Sequence, residues 1–106
     1  GAAQTLVPYA AAKAGVIHMT GTLGEVLGRH GIRVNAIAPG YIVTEMNEAF
    51  FISPQGEAFV KGIPQRRVGR PSDLDGTLLL LASERASGFM TGTTIVVDGG
   101  HMHKAL

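Results

Sequence analysis

The chain contains no cysteine and no tryptophan, and its aromatic complement is two tyrosines and four phenylalanines. Without cysteine, disulfide frameworks and thiolate metal sites are excluded. Charge is scarce as well. Asp, Glu, Lys and Arg make up 16% of residues and nearly balance at a net +1, so no strong field marks a nucleic-acid or membrane partner. A small domain so poor in charge does not readily cover its own surface, and part of that surface is expected to be covered by something else. Long hydrophobic runs are missing too. The longest, Leu78 to Ala82, is far too short to span a bilayer, and no signal-peptide pattern is present. A soluble cytosolic protein is therefore expected. The chain opens on Gly1 rather than methionine, as a processed, cloned or cut polypeptide would.

What is present suits one small segment, residues 1–106, 45% hydrophobic. Residues 1–7 read as an approach loop, with Pro8 at the first turn of a helix, where its missing N–H costs nothing. That helix runs to about His30, and Gly31 supplies the stop. Tyr9, Ala12, Lys13, Val16, Thr20, Leu23 and Leu27 recur at three- and four-residue steps on one face. The apolar run Ile32 to Ala38, ended by Pro39-Gly40, reads as a buried strand. Residues 41–70 are weakly periodic, with a helical piece near Glu45 to Phe51 and loop punctuation at "SPQG". A second helix follows, with Ser72 as N-cap and Asp75 three residues on, and Leu74, Leu78, Leu81 and Ala82 as its apolar face. "TTIVVDGG" is a second buried strand. This order is α/β and implies a parallel sheet with right-handed crossovers. Two parallel strands with both faces apolar do not form a stable sheet alone, so the chain reads as incomplete as a domain.

Two stretches carry chemistry. Tyr9 and Lys13 stand at i and i+4, close enough to interact. A phenol loses its proton near pH 10, but a neighbouring ammonium favours phenolate and brings that proton within reach of acid–base work. The same pair also fits an ordinary amphipathic helix whose lysine reaches solvent, and Tyr-x-x-x-Lys recurs by chance in many chains. The second stretch is "NAIAPGYIVTEM". A Pro-Gly directly after a parallel strand lies at its carboxyl end, where open α/β sheets bind ligands. Gly40 permits close backbone approach, and Thr44 offers a hydroxyl soon after. A plain strand-ending turn accounts for the same residues.

Together, "YAAAKAGV", "GIRVNAIAPGYIVTEM", "IPQRRVGRPSDL" and "FMTGTTIVVDGG" resemble, in order and spacing, the carboxyl-terminal half of the short-chain dehydrogenase/reductase family. The resemblance covers essentially the whole chain. It implies part of a Rossmann-type doubly wound parallel sheet, and an enzyme that interconverts a carbonyl and a secondary alcohol with NAD or NADP. It further implies Tyr9 as catalytic acid/base, and Lys13 as its tuner and a hydrogen-bond donor to the nicotinamide ribose. Pro39, Gly40, the backbone of Ile42 and the Thr44 hydroxyl would line the nicotinamide. Residues 43–61 would form a mobile lid, and 3-oxoacyl thioesters or sugar- and polyol-type alcohols would be the substrates. Pairing through the first helix and the segment 72–100 would give a homotetramer.

The pattern also departs from the family. No Gly-rich phosphate loop occurs, since the glycines at 21, 24 and 28 lie mid-helix at the wrong spacing. The Asn-Asn-Ala-Gly segment and the catalytic serine are absent as well. The chain alone is thus expected to be inactive, and the rival expectation is an assembly or binding fragment without catalysis. Elsewhere, His101 and His103 suit a tail better than a two-ligand metal site, and Glu45 and Glu48 suit a solvated helix face. Arg66, Arg67 and Arg70 suit a loop with a structural ion pair better than a docking site for an acidic carrier or phosphorylated substrate.

Overall fold

The computed structural model describes the backbone of residues 2–103 and the side chains of residues 10–102. Helix runs straight through Pro8: α1 spans Ala2–Gly28, so the approach loop expected over residues 1–7 is helical from Ala2 onward. A proline inside a helix removes one hydrogen bond, and the alanines on both sides of it are the strongest helix formers available to offset that loss. The expected stop is present. Gly31 adopts φ +71°, the Gly31 N–H donates to the Gly28 carbonyl, and the Ile32 N–H reaches back to Leu27 at 3.2 Å. Those two bonds define a Schellman cap.

By internal contacts the chain forms two compact units. The first comprises residues 1–37 and 80–95. Here the expected strand over Ile32 to Ala38 is shortened, because β1 is only Ala36–Pro39. Side chains compete for the preceding backbone. Asn35 donates to the Met90 carbonyl and accepts from the Thr93 N–H, while the Val34 N–H is taken by the Thr91 hydroxyl. Arg33 fans out over the 81–87 region. Its guanidinium donates to the carbonyls of Leu81 and Ser87, the Ser87 hydroxyl and the Glu84 carboxylate, at 2.9–3.2 Å. These carbonyls end helical turns, where a cation is favourable. The expected second helix is therefore three pieces: a 3₁₀ turn Pro71–Leu74, α4 (Asp75–Ala82) and α5 (Glu84–Ser87). Ser83 makes the last break, its hydroxyl capping Ala86 N–H at 3.0 Å. Ser72 is not the N-cap. Arg70 occupies that place, its N–H donating to the Asp73 carboxylate at 2.7 Å.

The second unit comprises residues 38–79 and 96–106. The "SPQG" stretch, expected as loop, begins a helix: α3 spans Pro54–Lys61, with Ser53 accepting from the Gly56 N–H and Pro54 at the first turn. The helix expected from Glu45 is reduced to α2, Glu48–Phe51. Strand β2 (Thr94–Val97) pairs with β1 in a two-stranded sheet. The Ala36 N–H donates to Thr93 and the Gly40 N–H to Val97, so both strands advance in the same direction and the sheet is parallel.

The fold is thus α/β, as expected, and it buries little. Among the described residues, Ala38 and Ile63 are the only buried hydrophobic side chains. Neither strand is a buried strand of the kind expected, since most of their residues are half-exposed. Leu78 and Leu79 of α4 are 59% and 71% exposed, and Val16, Met19 and Val26 of α1 are exposed too. This is the surface that sparse charge anticipated.

Candidate active site

The carboxyl end of β1 is assembled from main-chain bonds that fix its course. The Gly69 N–H donates to the Tyr41 carbonyl at 2.7 Å, and the Val43 N–H donates to the Gly69 carbonyl at 2.8 Å. These bonds make a parallel bridge that places Ile42 opposite Gly69. On the other side, the Asn47 amide donates to the Ile42 carbonyl at 2.9 Å and accepts from the Thr44 N–H at 2.7 Å. Asn47 was not anticipated as a site residue. Its signal is an asparagine three residues after a threonine, just before a helix, where its side chain competes with helical bonding. That competition also explains why α2 starts at Glu48 rather than Glu45.

Gly40 has a different structural reason from the one expected. A Cβ built on it falls 2.7 Å from the Asp98 Cβ and 2.8 Å from the Asp98 Cα. The close approach that demands glycine here is by Asp98. That residue is itself an organiser, accepting from the Gly100 and Met102 N–H groups at 2.9 and 2.8 Å. Gly40→Ala is expected to cost about 1–3 kcal/mol through overpacking. Thermal melting of the whole protein checks it, and melting of Gly40→Ala like that of the unsubstituted protein would contradict the contact.

Pro39, Gly40, Ile42 and Thr44 thus form one continuous loop in the second unit. Tyr9 and Lys13 lie four residues apart on α1 in the first. Lys13 is half-buried, and the Tyr9 side chain lies outside the described residues. A cavity of about 330 Å³ opens in the second unit, and of the predicted residues only Ile42 lines it. Tyr41, Gln65, Asp98 and the Arg67–Asp73 pair contribute polar groups to its wall. The basic loop is indeed tied into a structural ion pair. The Arg67 guanidinium donates to both Asp73 carboxylate oxygens, at 2.9 and 3.2 Å. Arg66 donates to the Ile63 carbonyl.

The hydrogen bond from Arg67, followed by that from the Arg70 N–H, lowers the Asp73 pKa to about 2. A carboxyl whose folded pKa lies below its unfolded value stabilises the fold above the unfolded pKa, and that contribution is lost as pH falls through the folded one. Acid titration should therefore weaken the 67–73 loop between about pH 4 and pH 2, and Asp73→Asn should flatten that limb of the stability curve. The pair is largely exposed, so the effect is small. Glu45 and Glu48 are solvent-exposed, as expected. Among the described residues no cluster suits a metal ion, and no helix is long and apolar enough to cross a membrane. His101 is not in a loose tail. It lies in a 3₁₀ turn, His101–His103, with its ring against Tyr41 at 5.4 Å, while the His103 side chain lies outside the described residues.

A family model described as enoyl-(acyl carrier protein) reductase matches residues 1–102. The chain belongs to the short-chain dehydrogenase/reductase family. Across 92 residues it is 44% identical to the 3-oxoacyl-[acyl-carrier-protein] reductase of Synechocystis sp., covering 87% of this chain and 36% of that protein. Two solved structures are similar. A proposed D-mannonate oxidoreductase from Haemophilus influenza with bound NAD is 33% identical, with a TM-score of 0.79 over 92% of this chain and 37% of that one. A gluconate 5-dehydrogenase from Burkholderia cenocepacia, in complex with NADP and tartrate, is 37% identical, with a TM-score of 0.78 over 92% and 38%. The chain spans little more than a third of the length of these relatives. Its two strands are accordingly part of a Rossmann-type sheet.

Proposed function

We propose that residues 1–106 are a carboxyl-terminal portion, little more than a third by length, of a Rossmann-fold, NAD(P)-dependent oxidoreductase that interconverts a carbonyl and a secondary alcohol. The observation that carries this reading is the family match across 102 residues, which takes in both Tyr9-x-x-x-Lys13 and the Pro39-Gly40 turn at a parallel strand end. The NAD and NADP bound by the two similar structures support either cofactor.

The loop fits the nicotinamide end of such a molecule. Gly69 and Asn47 hold the main chain from Tyr41 to Thr44, and the Gly40 N–H is fixed by the Val97 carbonyl, so this segment needs little reorganisation on binding. When bound, the cofactor supplies or accepts the hydride. Tyr9 donates the proton to the substrate oxygen in reduction and removes it in oxidation. Lys13 lowers the tyrosine pKa and holds the nicotinamide ribose. Residues 43–61, with α2 and α3, cover the substrate. The substrates we favour are 3-oxoacyl thioesters, the class named by the Synechocystis relative, and sugar- or polyol-type alcohols, of which the gluconate named by the Burkholderia structure is a sugar-acid example. Homotetrameric assembly in the cytosol is what the family resemblance implies for the whole protein.

The test is consumption of reduced nicotinamide by the whole protein with a 3-oxoacyl thioester and with a keto-sugar acid. Turnover of either is the expected result. No turnover of any carbonyl by folded, cofactor-binding protein would overturn the reading. The 106-residue chain alone should be inactive, for want of a phosphate loop.

A further inference from the structure

Four rings converge in the second unit. Tyr41, just past the strand end, is the hub. Its ring meets Phe51 of α2 edge-on at 6.4 Å, Phe59 of α3 at 4.8 Å and His101 at 5.4 Å, with interplanar angles of 72–84°. His101 also lies 6.1 Å from Phe59. It is the only member of this group outside the segment 41–61, so it joins that segment to the turn after β2. Its position is built into the sequence before it. Gly99 and Gly100 take φ +65° and +89°, conformations costly to any residue with a side chain. A Cβ on Gly100 would lie 2.9 Å from the Pro64 Cβ. The Gln65 N–H ties Gly99 down at 3.0 Å, and the His101 N–H donates to Asp98. The ring is thus delivered to Tyr41 by a turn that has little freedom to place it elsewhere.

Histidine is an expensive choice for that place. Its Nδ1 is buried and, among the described residues, has no hydrogen-bond partner. A phenyl ring would make the same edge contacts without leaving a polar atom unpaired. The unpaired nitrogen regains water only when the ring leaves its seat. We propose that His101 is a releasable latch: its ring, against Tyr41 and Phe59, holds α3 to the strand end, and its unsatisfied nitrogen keeps that hold weak enough to open. The inference concerns the motion of the segment 41–61 and does not depend on the redox assignment.

Amide hydrogen exchange on the whole protein tests it, with α3 as the reporter and the Thr20–Leu27 turns of α1 as the internal control. His101→Ala should raise exchange in α3 about tenfold, the loss of one aromatic contact, and leave the control unchanged. His101→Phe should slow α3 exchange below that of the unsubstituted protein. Unchanged α3 exchange in His101→Ala, a rise shared equally by the control, or α3 exchange in His101→Phe no slower than with histidine would each overturn the latch.

Discussion

Replacing Tyr9 by phenylalanine is expected to lower kcat/KM of the whole protein by about 10²- to 10⁴-fold, the usual span for loss of a positioned general acid or base. The substitution removes one oxygen and keeps the ring, so cofactor affinity and melting temperature should hold nearly constant. The loss then appears in kcat, as expected for a group acting only in the transition state. Lys13 supplies the companion result. With methionine at 13, no ammonium favours the phenolate, and the alkaline limb of the pH–rate profile moves upward. Steady-state kinetics across pH separates the two roles. A Tyr9→Phe variant retaining full activity would show that the Tyr-x-x-x-Lys spacing on α1 is only an amphipathic helix face.

Gly56→Ala is expected to have the largest effect on stability. Gly56 is buried at the start of α3, donating to the Ser53 hydroxyl that caps the helix. A Cβ there falls into the Phe50 carbonyl oxygen and 2.6 Å from the Phe51 Cα. Both are backbone atoms that no rotamer change can move aside. The helices α2 and α3 must separate, at a cost above the ~1–3 kcal/mol of ordinary overpacking. At roughly 2–4 °C per kcal/mol for a domain of the relatives' size, the melting temperature of the whole protein should fall by at least about 6 °C. Exchange should rise first in α2 and α3. Wild-type melting in Gly56→Ala would mean that these helices do not pack as described.

Local signals in the sequence carried well and distant ones did not. The Gly31 stop, the Pro39-Gly40 turn at a strand end and the pairing of the arginine loop were legible, because each depends on neighbours within a few residues. The α3 helix was readable in principle, since Ser53-Pro54 is a helix start, but proline and glycine together mimic loop composition. The shortening of β1 was not readable, because Asn35 takes its partners from Met90 and Thr93, more than fifty residues on. The same holds for Gly40, whose glycine answers to Asp98, and for His101, whose ring finds Tyr41 across the chain. In the loop after β1, the Asn47 side chain that fixes Ile42 and Thr44 came only from the structure.

The proposed proton delivery by Tyr9 accompanies a hydride transfer between nicotinamide and a carbonyl. It is tested most directly by reducing a keto substrate with nicotinamide deuterated at the transferable position, using the whole protein and its Tyr9→Phe variant. Deuterium is expected on the carbinol carbon of the product with the unsubstituted protein, with a severe loss of that transfer in a Tyr9→Phe variant that still binds cofactor. Product without deuterium, or equal transfer by both proteins, would contradict it.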